Sequence, residues 1–171
     1  SNLVAGDIWY NTTTQTLKVA PSIGAWASGG NMGTARYQGA GCGTQTAGLG
    51  YGGYAAPGDP GSLDNTEEYN GSSWTAGEAM SSKRSQLSGQ HVGTQTAALS
   101  IGGNSPAGNY GALCEEYDGT DWTSTGNLNT SRSYLAGFGI QTAAVAGGGS
   151  TSPSSDATEE YNGSTWTSGE N

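Results

Sequence analysis

Nowhere in this chain do apolar residues recur at the i, i+3, i+4 and i+7 spacing that would give a helix one buried face. Short segments such as "SGQHVGT" and "TAALSIGG" instead lie between clusters of Gly, Asn, Ser and Thr, which predicts strands joined by turns. One ten-residue phrase is written three times: "TEEYNGSSWT" at 66–75, "CEEYDGTDWT" at 114–123 and "TEEYNGSTWT" at 158–167. Each copy carries Asn70-Gly71, Asp118-Gly119 or Asn162-Gly163, a signal for a two-residue type I′ hairpin whose central residues both need positive φ. On that reading Tyr69 faces Ser72, Glu68 faces Ser73 and Glu67 faces Trp74, leaving Tyr69 and Trp74 as diagonal neighbours.

Side chains alternate across a strand, so Glu67 shares the face of Tyr69 and Trp74 while Glu68 points away. The same pattern places Glu115 with Tyr117 and Trp122, and Glu159 with Tyr161 and Trp166, with Glu116 and Glu160 on the opposite faces. A carboxylate beside packed aromatic rings is costly to desolvate unless it is paired. An arginine ten residues after each of three tryptophans supplies the candidate partners Arg36, Arg84 and Arg132. We expect each to form a bidentate pair with a face-sharing glutamate of its own or an adjacent unit, fixing how units stack.

Trp26, Trp74, Trp122 and Trp166 follow one another at intervals of 48, 48 and 44 residues. "GTQTA" at 43–47 recurs at 93–97 and, as "GIQTA", at 139–143, and each copy runs on to glycines at Gly52-Gly53, Gly102-Gly103 and Gly147–Gly149. Two segments and a hairpin per period make about four strands, the size of a propeller blade. The expected architecture is all-β: a small N-terminal hairpin module and partial unit at 1–25, then an array at 26–171 with near-complete units at about 36–80, 84–128 and 132–171. Propellers usually close with about 4–8 blades. Three units and a fraction therefore imply a chain that continues or completion by another subunit; an open or fibrous stack of repeats is the alternative.

Composition restricts the partners. With 33% apolar and 11% charged residues any core is thin, and 31 glycines with only 5 prolines and no three-residue period exclude collagen. A net charge of −9, with only Lys18, Arg36, Lys83, Arg84 and Arg132 against 14 acids, argues against nucleic acid as a partner. No apolar run approaches the roughly 18 residues of a membrane span, and the start of the chain lacks the ordered basic, apolar and cleavage regions of a leader. Cys42 and Cys114 fall at non-equivalent places in the repeat as read here and are expected as free thiols.

The glycine pair Gly102-Gly103, then Tyr117, Trp122 and Arg132, with counterparts in the neighbouring copies, resembles the kelch repeat. The Tyr-to-Trp interval is shorter than the family pattern and the outer segments are richer in glycine. "WASGGNMGTARYQGAGCGTQTAGLGYGG" and "TEEYNGSSWTAG" are more closely similar to kelch-like arrays in structural proteins of marine tailed bacteriophages, and "GDIWYNTTTQTLK" at 6–18 resembles a hairpin module of phage fibre and appendage proteins. The resemblance implies a kelch-like β-propeller array in a virion appendage of tail or capsid fibre type. It implies an extracellular location on the particle, multiple copies and other virion subunits as partners.

Chemistry-bearing residues add little. His91 is the single histidine, which leaves no imidazole set for copper or zinc, although some kelch propellers are copper oxidases, and makes no triad without a nucleophile motif. Glu67 and Glu68 are neighbours on opposite strand faces, so their repetition reads as scaffold rather than a glycosidase pair. Asp59 and Asp64 in "APGDPGSLDN" lack the spacing of a calcium loop. We therefore expect no catalytic centre, metal or cofactor. Recognition is expected in the variable loops, at Tyr51, Tyr54, Asn104, Tyr110 and the "STSPSSD" segment, offered to a host-surface glycan or protein. The alternatives are a purely structural virion decoration or spacer and, less favoured, a carbohydrate-active enzyme.

Overall fold

The computed structural model describes residues 8–11, 13–19, 28–55, 61–87 and 92–169. Trp26, Asp59 and His91 lie outside them. All regular structure among the described residues is β. β1 (Ile8–Asn11) pairs antiparallel with β2 (Thr16–Val19), from Ile8 opposite Val19 to Asn11 opposite Thr16. There follow β3 (Arg36–Tyr37), β4 (Ala40–Thr44), β5 (Ala47–Tyr51), β6 (Tyr54–Ala55), β7 (Thr66–Tyr69) and β8 (Trp74–Gly77). Of these, β4, β5, β7 and β8 form the first four-stranded sheet in that order, and β3 pairs with β6. The second sheet is β9 (Gly93–Thr94), β10 (Ala97–Ile101), β11 (Cys114–Tyr117) and β12 (Trp122–Ser124); the third is β13 (Ala136–Ile140), β14 (Ala143–Gly147), β15 (Thr158–Tyr161) and β16 (Trp166–Ser168). All three are antiparallel meanders.

The hairpin within the repeated phrase differs from the sequence expectation. Tyr69 lies directly opposite Trp74, as Tyr117 does Trp122 and Tyr161 does Trp166, so the loop has four residues and the rings are opposed rather than diagonal. Their centroids are 5.0 Å apart in all three copies. Asn-Gly does not form a type I′ turn, because only the glycine takes positive φ: Gly71 at 94°, Gly119 at 94° and Gly163 at 93°. The preceding side chain instead closes the loop, with Asn70 Oδ1 accepting from the N–H groups of Ser72 at 3.0 Å and Ser73 at 2.9 Å. Asp118 and Asn162 do the same in their copies. The register differs from the expected one by two residues, an even number, so every side chain stays on its expected face.

The two-residue turns lie elsewhere, at Gln45-Thr46, Gln95-Thr96 and Gln141-Thr142, where Thr44 pairs with Ala47, Thr94 with Ala97 and Ile140 with Ala143. Neither turn residue has positive φ; the glycine two positions before it does, at 99° for Gly43, 92° for Gly93 and 112° for Gly139. The left-handed backbone that a tight hairpin ordinarily places in its turn thus lies two positions earlier, at a glycine that still pairs in register with the facing strand.

Consecutive sheets pack face to face. Tyr117 and Trp122 of the second sheet meet Leu49, Tyr51 and Cys42 of the first, and Tyr161 and Trp166 of the third meet Leu99, Ile101 and Cys114 of the second. Polar contacts repeat with the same register. The Tyr117 hydroxyl donates to Glu68 at 2.6 Å and that of Tyr161 to Glu116 at 2.8 Å. Gln95 Nε2 donates to the Gly48 and Tyr69 carbonyls of the sheet before it, and Gln141 Nε2 to those of Ala98 and Tyr117.

One contact breaks the pattern. Trp122 Nε1 donates to Thr66 Oγ1 at 2.8 Å, but Trp166 Nε1 is buried without a comparable partner because Cys114 occupies the place of Thr66. Burial pushes the Cys114 thiol up to about 11, and sulfur is a weak acceptor. Replacing Cys114 with Thr supplies the missing acceptor at nearly constant volume. We expect the unfolding free energy in urea to rise by about 1 kcal/mol, with Trp166→Phe abolishing the gain.

Arg84 and Arg132 each hold two sheets together. Arg84 donates its backbone N–H to the Leu63 carbonyl at 3.0 Å and accepts from Gly53 N–H at 2.9 Å, both on the side of the first sheet. Its side chain crosses to the second, where Nη1 donates to the Gly102 and Leu113 carbonyls at 3.0 and 2.7 Å and Nη2 to Glu115 Oε1 at 2.5 Å. Arg132 likewise bonds its backbone to Gly103 and Gly111 and its side chain to Gly148, Ala157 and Glu159, the last at 2.8 Å. Arg36 reaches Gly52, Asn65 and Glu67, at 2.5 Å for the carboxylate.

The pairs are not bidentate. One guanidinium nitrogen takes the carboxylate and the other takes two carbonyls, while the second carboxylate oxygen accepts from Gly33, Ser81 or Asn129 N–H. Burial opposes ionisation of Glu67, but the Gly33 N–H, the Arg36 guanidinium and the Thr34 N–H outweigh it and hold the carboxyl below its ordinary value.

Candidate ligand-binding surface

The residue two positions after each arginine has left-handed backbone without being glycine: Gln38 at φ 53°, Gln86 at 55° and Tyr134 at 54°. Such a conformation costs of order 1 kcal/mol per residue and persists where the surroundings impose it. Here the imposing contacts run from one repeat to the next. Gln86 N–H donates to the Gln38 carbonyl at 2.9 Å, and Tyr134 N–H to the Gln86 carbonyl at 3.0 Å. Three equivalent positions, one from each repeat, thus meet in a single backbone series.

Their side chains close over the same spot. Gln38 Nε2 donates to the Tyr134 hydroxyl at 3.1 Å, Gln86 Nε2 to Gln38 Oε1 at 3.3 Å, and Asn104 Nδ2 to Gln86 Oε1 at 2.8 Å. Asn104 Oδ1 is left buried without a partner. Aromatic surface flanks these amides: Tyr134 is 57% exposed and Tyr37 51%, the latter stacked on Tyr54 with centroids 5.4 Å apart. Tyr110 pairs through its backbone with Asn104 and its hydroxyl accepts from Ser150 Oγ at 3.2 Å.

The loop residues singled out from sequence separate here. Tyr54, Asn104 and Tyr110 belong to this surface, Asn104 as a buried support. Tyr51 does not: it is fully buried between the first two sheets, its ring 4.9 Å from that of Trp122 and its hydroxyl donating to the Leu99 carbonyl. Expected in a recognition loop, it ends β5 on the packed side. Gln38, Gln86, Tyr134 and Tyr37 were not singled out. Their common offset from Arg was readable, yet nothing in the residue types Gln, Gln and Tyr announces positive φ.

Other chemistry is sparse. Among the described residues no group of three or more His, Cys, Asp and Glu side chains could hold a metal ion. Cys42 and Cys114 are free thiols, and burial pushes Cys42 up to about 11. Glu68 and Glu116, on the face away from the arginines, are held by tyrosines of the following sheet.

No family model matches the chain, and no curated protein matches it. Among solved structures, that of YjhT superposes with a TM-score of 0.63 at 14% sequence identity, over 95% of this chain and 50% of its own. The chain therefore spans half the length of that structure. At this identity the likeness is one of fold alone: an all-β protein of consecutive four-stranded antiparallel sheets, built like half of YjhT.

Proposed function

We propose that the chain is a run of kelch-like β-propeller blades acting as a non-enzymatic binding scaffold on a virion appendage, where it adheres to a host-surface glycan or protein. The observation that carries the binding reading is the convergence of Gln38, Gln86 and Tyr134, all non-glycine and left-handed, on one surface rimmed by exposed tyrosines. Backbone strain repeated at one place is a reason to look for function there. Tyrosine faces stack on sugar rings or apolar side chains and carboxamides exchange hydrogen bonds with hydroxyls, which suits many weak contacts multiplied by copy number. The placement on a virion rests on the sequence resemblance.

The test is binding of the purified protein to host cells together with competition against adsorption of the particle. Saturable binding is expected, weakened roughly tenfold or more by Tyr134→Ala, a loss of about 1.4 kcal/mol. Tyr134 is exposed, so the fold should withstand the change. A folded protein that neither binds cells nor competes would overturn adhesion in favour of a structural decoration role.

A further inference from the structure

The two junctions between consecutive sheets define what each face of a sheet accepts. On the rear face of the first sheet Leu49 is 2% exposed beneath the rings of the second; on the rear face of the second, Leu99 and Val92 are fully buried beneath the third. Each junction also carries a tyrosine hydroxyl on a glutamate, Tyr117 on Glu68 and Tyr161 on Glu116. The third sheet repeats this face with Phe138, Val145 and Glu160 in one cross-strand row and Ile140 beside it. There Phe138 is 61% exposed, Ile140 59%, and Glu160 is exposed.

The front face of the first sheet is the other half of such a junction. Tyr69 and Trp74 are only half-buried, and with Gly41, Gln45 and Gly48 they line a cleft of about 370 Å³. Gly48 stands where the second sheet has Ala98 and the third Ala144, and Phe138 stands where the first has Cys42 and the second Val92. The larger rear-face side chain thus matches the roomier front face. Gln45 is exposed, whereas Gln95 and Gln141 in its place each donate to two carbonyls of the sheet before them.

We propose that a second copy of this chain docks head to tail, its first sheet on the third sheet of the other, and that two such junctions close a two-copy ring. In each, Phe138 and Val145 enter the glycine-lined cleft, the Tyr69 hydroxyl donates to Glu160, and Gln45 Nε2 donates to the Ala144 and Tyr161 carbonyls. Residues 28–33 already lie against Tyr69, Ser72 and Glu67 of the first sheet, so the incoming sheet supplies only its face. Two points favour a second copy as the occupant. The outward faces of the first and third sheets lie on the same 171 residues and complement each other as the inner junctions do, and this run of sheets covers 50% of YjhT, so two such runs match its extent. Head-to-tail contacts that close form a ring under a two-fold axis. The inference is independent of the binding role.

The experiment is the native mass of the 171-residue chain in solution by light scattering across a concentration series, for the wild type and for Phe138→Asp and Gln45→Glu. Both substituted residues are exposed, so each variant should keep the fold, checked by near-UV circular dichroism. Wild type is expected at twice the chain mass, and each variant alone at the mass of one chain. A mixture of the two variants should recover the doubled mass, because one junction in that pair has both faces intact. A single-chain mass for wild type at every concentration, an open series of larger species, or a doubled mass that survives in either variant would overturn the proposal.

Discussion

Replacing Arg84 with alanine will lower the unfolding free energy by about 3–5 kcal/mol, measured by urea denaturation. The side chain is 4% exposed and that of Glu115 0%, so removing the guanidinium strands a carboxylate with little access to water. It also removes the donors that hold the Gly102 and Leu113 carbonyls and Ser100 Oγ. Burial pulls the arginine's own pKa down, and the carboxylate of Glu115 opposes that pull. The loss therefore measures a stranded charge more than the worth of the pair. The double change Arg84→Met with Glu115→Leu is accordingly expected to recover much of the loss. If the single variant changes stability by less than 1 kcal/mol, the buried pair does not hold the first two sheets together.

Gly43→Ala is expected to cost about 3 kcal/mol, the upper end for backbone forced into a region that only glycine adopts readily. Its φ is 99°, and an added Cβ would press into the carbonyl oxygen of Ala47 across the hairpin and come within 3.1 Å of the Gly48 Cα. Both obstacles are backbone of the paired strand, so relief requires the β4–β5 ladder to open. Gly61→Ala serves as the control, since nothing lies within 4 Å of the position and its φ is not positive. That variant should be neutral or slightly stabilising, by about 0.4–1 kcal/mol through loss of unfolded-state freedom. Equal effects in the two variants would mean that Gly43 is present for composition rather than for conformation.

What could be read from the sequence followed from needs that a residue type cannot hide. A glutamate two positions before a strand-end tyrosine must share its face, and a buried acid needs a cation, so looking for arginine partners was open to inspection. Loop length was not, because Asn-Gly is equally at home in a two-residue turn and in a four-residue loop closed by the Asn side chain. The difference of two residues left the faces unchanged but altered which rings stand opposite. Tyr51, expected among the recognition loops, ends β5 instead, and the local sequence carries no record that the next sheet covers it. The left-handed trio was hidden for a related reason: contacts between repeats impose that conformation, and a linear pattern of Gln, Gln and Tyr does not show them.

Because Arg84 and Arg132 each fasten their backbone to one sheet and their side chain to the next, the segment that can be duplicated without loss runs from arginine to arginine rather than from strand to strand. A duplication of the four strands of one sheet alone would add an acid and no arginine, leaving one buried carboxylate without its guanidinium. Cut at the arginine, the new copy arrives with a closed junction on one side and an equivalent acceptor face on the other. An array built this way can gain or lose repeats while every inner junction keeps the same chemistry, which leaves the loops between the strands free to diverge from one copy to the next.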